Sequence, residues 1–255
     1  KIIELLKQET LTNEAVLAGL LLGSVLWGSH NRRSDLDYLI VYDPAARDMV
    51  LKIFQRIYQQ ASQLHIPLAL IPVDHSLATS PYHSIERLFA DHLESMVKQG
   101  GVVKRNPLDF FSFDATSREE AVRFYLQLKV RFLGNGLFEL PTLTDAKLYK
   151  YLQKMLEAPI HIARKVLVIN GCQLENDTKI EVVKKYSELW GQIDCGLVAL
   201  FLELINLDAW YSSVLEQQLY HPDSAEYQKV IDQLKRKAAD SFDFARQTAL
   251  SLNID

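Results

Sequence analysis

Three short apolar runs lie in the first 73 residues of this 255-residue chain, and from residue 117 onward apolar residues recur only at helical spacing. The runs are residues 16–22 (VLAGLLL), 36–42 (LDYLIVY) and 67–73 (PLALIPV). Each is bounded by turn-forming or polar residues, and a run of that length so bounded reads as a buried strand. For residues 16–22 a helical segment is the alternative, since periodicity alone does not separate the two. Pro72 has no N–H to donate, which places the third run at the edge or end of a sheet. Asp43-Pro44 is a helix-start signal, with Asp43 as cap and Pro44 as first helical residue. The spacing predicts a helix over residues 44–64 with Met49, Ile53, Ile57 and Ala61 facing inward. Residues 2–9 carry another helical stripe. The order helix, strand, turn, strand, helix, strand is that of an α/β unit with a small mixed sheet.

After a polar loop, residues 85–98 read as an amphipathic helix and residues 102–117 as a linker containing Pro107. Helical periodicity then covers residues 118–133, 145–170, 179–190, 196–219 and 224–252. Breaks are expected at Gly134-Asn135-Gly136, Asn170-Gly171, Gly191 and His221-Pro222-Asp223. The expected fold is thus an α/β N-terminal domain over residues 1–111, followed by an all-α helical bundle of about five helices over residues 112–255.

Hydrophobic residues make up 48% of the chain and charged residues 24%, which excludes disorder as its main theme. The net charge is −4. Residues 1–111 hold 11 basic against 12 acidic side chains and residues 112–255 hold 17 against 20, so neither half has the bulk basic footprint of a nucleic-acid binder. The two cysteines, Cys172 and Cys195, have no CxxC spacing, which argues against a disulfide framework or a zinc site. The first residues lack the pattern of a signal peptide, and no segment is read as a membrane span. These features predict a cytoplasmic protein with no membrane partner and reduced thiols.

The chemistry concentrates in residues 23–42, GSVLWGSHNRRSDLDYLIVY. Gly23-Ser24 follows a strand, where a glycine lets backbone approach a ligand closely and an exposed amide and hydroxyl can hold phosphate. A short helix starting there would add its positive dipole end. Twelve residues later come Asp35-Leu36-Asp37. Residues i and i+2 of a strand share a face, so Asp35 and Asp37 present two carboxylates together. Such a pair repels itself unless a cation intervenes, and magnesium favours one or two carboxylates plus phosphate oxygens. A phosphate cradle facing a metal-binding carboxylate pair is the equipment of metal-assisted nucleotidyl transfer.

Gly-Ser, a loop with an internal glycine at Gly28, and Ser34-Asp35-Leu36-Asp37 on a strand together resemble the signature of the DNA polymerase β-like nucleotidyltransferase superfamily. The layout is similar to minimal nucleotidyltransferases and antibiotic adenylyltransferases with a helical C-terminal domain. The resemblance implies that Gly23 and Ser24 hold the triphosphate of an NTP donor, ATP foremost, and that Asp35 and Asp37 bind Mg²⁺ as the catalytic pair. It implies transfer of an NMP, AMP foremost, to a hydroxyl acceptor: an aminoglycoside-like small molecule, a tRNA end or a protein tyrosine. Family members place a third carboxylate on the next strand in a Pro-Leu-Glu pattern, where this chain has Pro67-Leu68-Ala69. Asp74 is the nearest acid and serves as a metal ligand only if the strand ends or bulges at Pro72, because its strand parity is opposite to that of Ala69. Glu119, Glu120 and Glu157 are other candidates for the base or third ligand. The alternative is a catalytically degenerate nucleotide-binding or partner-binding module that acts, antitoxin-like, through its helical part.

Arg32, Arg33 and Ser34 precede the Asp pair and are candidate triphosphate contacts, with His30 a weaker one. Lys179 begins a helix after Asn176-Asp177-Thr178 and resembles a triphosphate-contacting lysine of related helical domains; Arg164 and Lys165 are further candidates. Trp210, Tyr211, Tyr220 and Tyr227 are candidates for lining an acceptor pocket, although bundle packing is the stronger account of them. The oligomeric state is left open.

Overall fold

The computed structural model describes residues 1–26, 28, 35–77, 96–110, 115–143, 145–174, 178–216 and 225–252. The chain divides into two compact units, residues 1–118 and 119–255, against a sequence-based boundary after residue 111.

In the first unit, α1 (Ile2–Thr12) leads into β1 (Val16–Leu21), a single-turn α2 (Gly23–Leu26) and β2 (Leu36–Tyr42). A 3-10 turn at Pro44–Ala46 then opens α3 (Arg47–Gln63), followed by β3 (Leu68–Asp74) and β4 (Val102–Lys104). All three apolar runs are strands. The sheet order is β3-β2-β1-β4, with β2 and β3 parallel and β1 antiparallel to both β2 and β4. A parallel pair needs a long crossover, and α3 supplies it. Pro72 does lie on an edge strand.

β4 falls inside the stretch read as a linker. Three residues are too short to show an alternation; what makes them a strand is pairing with β1, aided by a 2.9 Å bond from Leu21 N–H to the Gly101 carbonyl. Residues 85–95 of the amphipathic helix expected over 85–98 lie outside the described residues.

The strand β2 is covered on both faces. Leu36, Tyr38, Ile40 and Tyr42 pack with Ile2 and Leu6 of α1 and with Val50, Phe54, Ile57 and Ala61 of α3. Leu39 and Val41 point the other way, into a cluster with Ala18, Leu20, Val73 and Met96. Burial on both faces explains why the run is almost continuously apolar. The Asp43 carboxylate accepts from Ala45 N–H at 2.9 Å with Pro44 as the first residue of the turn, as the sequence implies. The inward stripe of α3 differs from expectation: Met49 is 48% exposed, and Val50 and Phe54 take the buried places. Three successive i+4 steps drift by roughly 120° around a helix of 3.6 residues per turn, whereas 50, 54, 57, 61 stays on one face. On the face of β2 that α1 covers, the Tyr38 phenol shares a 2.9 Å hydrogen bond with the Thr10 hydroxyl. Gly19 makes room for it, since a Cβ there would lie 2.8 Å from the phenol oxygen. Burial pushes the Tyr38 hydroxyl up to about 12, against the opposing pull of the Thr10 bond.

The second unit contains, among the described residues, six α-helices and no strand. They are α4 (Ala115–Glu139, which begins just before the division), α5 (Asp145–Ile169), α6 (Lys179–Trp190), α7 (Cys195–Glu216), α8 (Ala225–Arg236) and α9 (Ala238–Ser251). Two boundaries differ from the sequence reading. α4 runs straight through Gly134-Asn135-Gly136, because those glycines act by packing: a Cβ on Gly136 would sit 1.8 Å from the Tyr151 ring of α5. The stretch read as one helix over residues 224–252 is divided at Lys237 into α8 and α9. The core centres on Tyr186, Phe201 and Phe244, with Tyr186 and Phe201 ring centroids 4.6 Å apart. α7 revises a further expectation: Cys195–Val214, with mean hydropathy 1.3, is long and apolar enough by length and composition to cross a membrane. The two acids within that span, Glu203 and Asp208, are ion-paired with Lys237 and Lys179 respectively. Charges of that kind are expensive in lipid, and the helix packs here within a bundle.

Pro159 lies inside α5 and has no N–H to offer the carbonyl four residues earlier, that of Met155. The fully buried Ser241 hydroxyl of α9 donates to that carbonyl at 2.9 Å. Ser241→Ala should therefore cost about 1–3 kcal/mol in urea unfolding, the usual penalty for a buried polar group left unpaired. Pro159→Ala restores a backbone donor, so the double variant Pro159→Ala/Ser241→Ala should lose much less than Ser241→Ala alone. Equal losses would show that the serine acts by packing.

Candidate functional site

The strand β1 ends at Leu21, and Leu22 N–H bonds the Asp37 carbonyl at 3.0 Å, so the Gly-Ser segment is pinned beside β2. Gly23 has φ +70°, in the left-handed region, and a Cβ on it would lie 2.6 Å from Asp37 Oδ2. The Gly23 α-carbon is thus pressed against the Asp37 carboxylate. Ser24, partly buried, follows in the single turn of α2. Asp37 is half-buried on the second residue of β2, and Asp35 is exposed just before the strand. Both aspartates are engaged in polar or electrostatic interactions with their surroundings. Gly23, Ser24, Asp35 and Asp37 therefore cluster at one end of the central strand. His30, Arg32, Arg33 and Ser34 lie outside the described residues.

The parallel register of β2 and β3 sets Asp37 beside Ala69, so the place expected for a third carboxylate carries a methyl group. Asp74 does not substitute for it. Its register partner is Tyr42, five residues along the strand from Asp37, or about 16 Å at roughly 3.3 Å per residue. It also lies on the opposite face of the sheet from Asp37, and no bulge at Pro72 turns it back. Its carboxylate accepts from the Ser76 N–H at 2.9 Å and the Ser76 hydroxyl at 2.5 Å, closing the turn after β3. Asp74 is therefore removed from the expected metal set. Among the described residues no group of three or more His, Cys, Asp or Glu side chains is arranged to hold a metal ion. Among the described residues this end of β2 carries two carboxylates, Asp35 and Asp37.

The candidates in the second unit have other occupations. Lys179 does begin a helix, after a Thr178 cap that accepts from Glu181 N–H at 3.2 Å. Its ammonium pairs with the largely buried Asp208 of α7 at 3.1 Å. Asp208 was not singled out in the sequence, although an acid within an otherwise apolar helical stretch is a signal for it. Arg164 and Lys165 are buried in α5, 8% and 2% exposed, and each is already engaged. Burial brings the Arg164 guanidinium down to about 10, with Tyr125 acting in the opposite sense. Glu157 receives Gln153 at 3.0 Å and Lys154 at 2.9 Å, and Glu119 is paired with Arg123 at 2.8 Å. Glu120 is exposed. Tyr211 is core, Trp210 is 39% exposed, and Tyr220 and the side chain of Tyr227 lie outside the described residues.

Comparison with family models, curated proteins and solved structures finds no match to the chain. The reading of the site rests on its own geometry.

Gly23 and Gly28 both have positive φ, but a Cβ on Gly28 would meet open space. Gly28→Ala should cost only the backbone strain of an L-residue in that region, about 1–2 kcal/mol. Gly23→Ala should cost more, and Asp37→Ala should relieve the excess. The check is a double-mutant cycle in urea at positions 23 and 37; additive losses would contradict the contact.

Proposed function

We propose that the chain is a Mg²⁺-dependent nucleotidyltransferase that moves an NMP, AMP foremost, from an NTP to a hydroxyl acceptor. The observation that carries this reading is the glycine pressed on the Asp37 carboxylate, with a serine hydroxyl one residue on and a second carboxylate two residues before. Gly23 keeps any side chain from coming between the backbone and the Asp37 carboxylate, and two acids on one segment suit magnesium with phosphate oxygens completing its shell. Asp35 and Asp37 are the residues to hold the ion, which supplies charge neutralisation at the phosphates when bound. Gly23 and Ser24 present backbone amide and hydroxyl to the triphosphate and orient it. In the transfer, the acceptor oxygen forms a bond to the α-phosphorus, the α–β bridging P–O bond breaks, and pyrophosphate leaves. The acceptor proton needs a base, and the register position beside Asp37 offers none.

Ala69 is the observation that favours a second reading, a module that binds nucleotide, or only keeps the architecture, and acts on a partner without turnover.

Calorimetric titration with ATP, with and without Mg²⁺, tests the site. Saturable Mg²⁺-dependent binding is expected, weakened about tenfold or more by Asp35→Asn/Asp37→Asn. Absence of ATP binding to the parent chain would overturn the nucleotide site. In the same assay series, Ala69→Glu is expected to raise slow release of pyrophosphate from ATP, water serving as acceptor, by about 10²-fold, the low end for a positioned general base. Unchanged release despite intact ATP binding would favour the module without turnover.

A further inference from the structure

α5 carries Lys154, Glu157, His161 and Arg164 at spacings of three and four residues, so these side chains share one face of the helix. Tyr125 and Lys129, four residues apart on α4, stand beside that face. The Tyr151 hydroxyl of α5 holds the two helices together by donating to the Leu133 carbonyl at 3.1 Å. The Lys129 ammonium lies 5.2 Å from the centre of the Tyr125 ring. Lys154 and Glu157 act on it electrostatically, and Arg164 and Glu157 act on the Tyr125 hydroxyl. Three cations, one carboxylate and one phenol thus meet where α4 packs on α5.

Most of these groups are occupied. Glu157 accepts from Gln153 on one oxygen at 3.0 Å and from Lys154 on the other at 2.9 Å. The buried Arg164 guanidinium, which can only donate, gives to His161 Nδ1 at 3.3 Å, so His161 is neutral in this arrangement. Lys129 and Tyr125 differ. Both side chains are partly buried, yet among the described residues neither the Lys129 ammonium nor the Tyr125 hydroxyl has a hydrogen-bond acceptor or a carboxylate partner. Burial and the neighbouring Lys154 hold the Lys129 amine below the ordinary lysine value, and burial pushes the Tyr125 hydroxyl up. A donor without an acceptor in such a place is costly, and a second cation beside it adds to the cost.

We infer that Lys129 and Tyr125 bind an oxyanion of the phosphate type, as a free ion or as the phosphate group of a larger ligand. The two available groups present donors, and an oxyanion presents acceptors only. Lys154 and Arg164, engaged on α5, supply field and not contacts. Three cations against one carboxylate leave an excess of two positive charges, which matches a phosphate near its dianionic form better than chloride or a carboxylate. The cluster lies within the second unit and does not depend on the reading of Asp35 and Asp37.

The experiment is calorimetry of the full chain carrying Asp35→Asn/Asp37→Asn, in magnesium-free buffer, with inorganic phosphate, phenyl phosphate and, at matched ionic strength, sodium chloride. Those substitutions keep metal-bridged phosphate at the first unit out of the signal. Saturable binding of phosphate is expected, and none of chloride. Lys129→Met keeps an unbranched stem over Tyr125 without the charge and should weaken binding about tenfold or more, the worth of one hydrogen bond to a charged group. Tyr125→Phe should weaken it about three- to tenfold. Lys229→Met, at an exposed lysine of α8, should leave it unchanged. Phenyl phosphate binding as tightly as phosphate would assign the site to the phosphate group of a larger ligand, and weaker binding would assign it to the free ion; both uphold an oxyanion site. No saturable phosphate binding, equal binding of chloride, or phosphate binding that survives Lys129→Met would overturn the inference, as would an equal loss at Lys229→Met. In phosphate-free buffer Lys129→Met should match or exceed the parent's urea midpoint, because it removes a charge that burial and Lys154 disfavour. A lower midpoint would overturn the inference too, since the protein itself would then be holding the ammonium.

Discussion

Asp37 is the one carboxylate within a strand that is buried on both of its faces, and nothing larger than hydrogen fits opposite it on the neighbouring chain segment. The rest of the first unit is arranged around that constraint. The Leu22–Asp37 backbone bond fixes the approach of the two segments, and the positive φ of Gly23 turns the chain away before a side chain would collide. The apolar layers on either side of β2 hold the strand rigidly enough for the contact to persist. A carboxylate in such a strand works against strand preference and burial alike.

The same rigidity sharpens the meaning of Ala69. In a parallel pair the register is shared along the whole strand, so a carboxylate cannot be borrowed from farther along β3 without slipping every apolar residue to the wrong face. Asp74 illustrates this: it is close in sequence, yet at the other end of the sheet and occupied with its own turn. The site thus has a well-defined pair of acids and a well-defined gap, and both properties come from one strand pairing.

Much of the first unit was legible in the sequence because its signals are local. Three bounded apolar runs became three strands, Asp43-Pro44 opened its turn, and Asp35-x-Asp37 fell at a strand start beside Gly23. Other features escaped because their causes lie far off along the chain. β4 exists by pairing, not by pattern. Gly134 and Gly136 carry the composition of a helix break, but the Tyr151 ring needs the space of a missing side chain at position 136. The stripe on α3 was misjudged from i+4 spacing alone, which winds around a helix. The Asp37–Ala69 neighbourhood required the register, and that follows only once the order of strands is known. Lys179 was placed correctly at a helix start, but its buried partner Asp208 sits 29 residues away.

The bond from Ser241 to the Met155 carbonyl has a consequence for how the second unit is made. α5 contains a gap in its own ladder at Pro159, and the group that closes it lies 86 residues downstream. During synthesis the middle of α5 emerges long before its partner. A ribosome exit tunnel still covers the last few dozen residues when the earlier helices are already outside. The helical unit therefore completes its core only after α9 has left the tunnel, whereas the α/β unit, whose described strands end by residue 104, is free to form first.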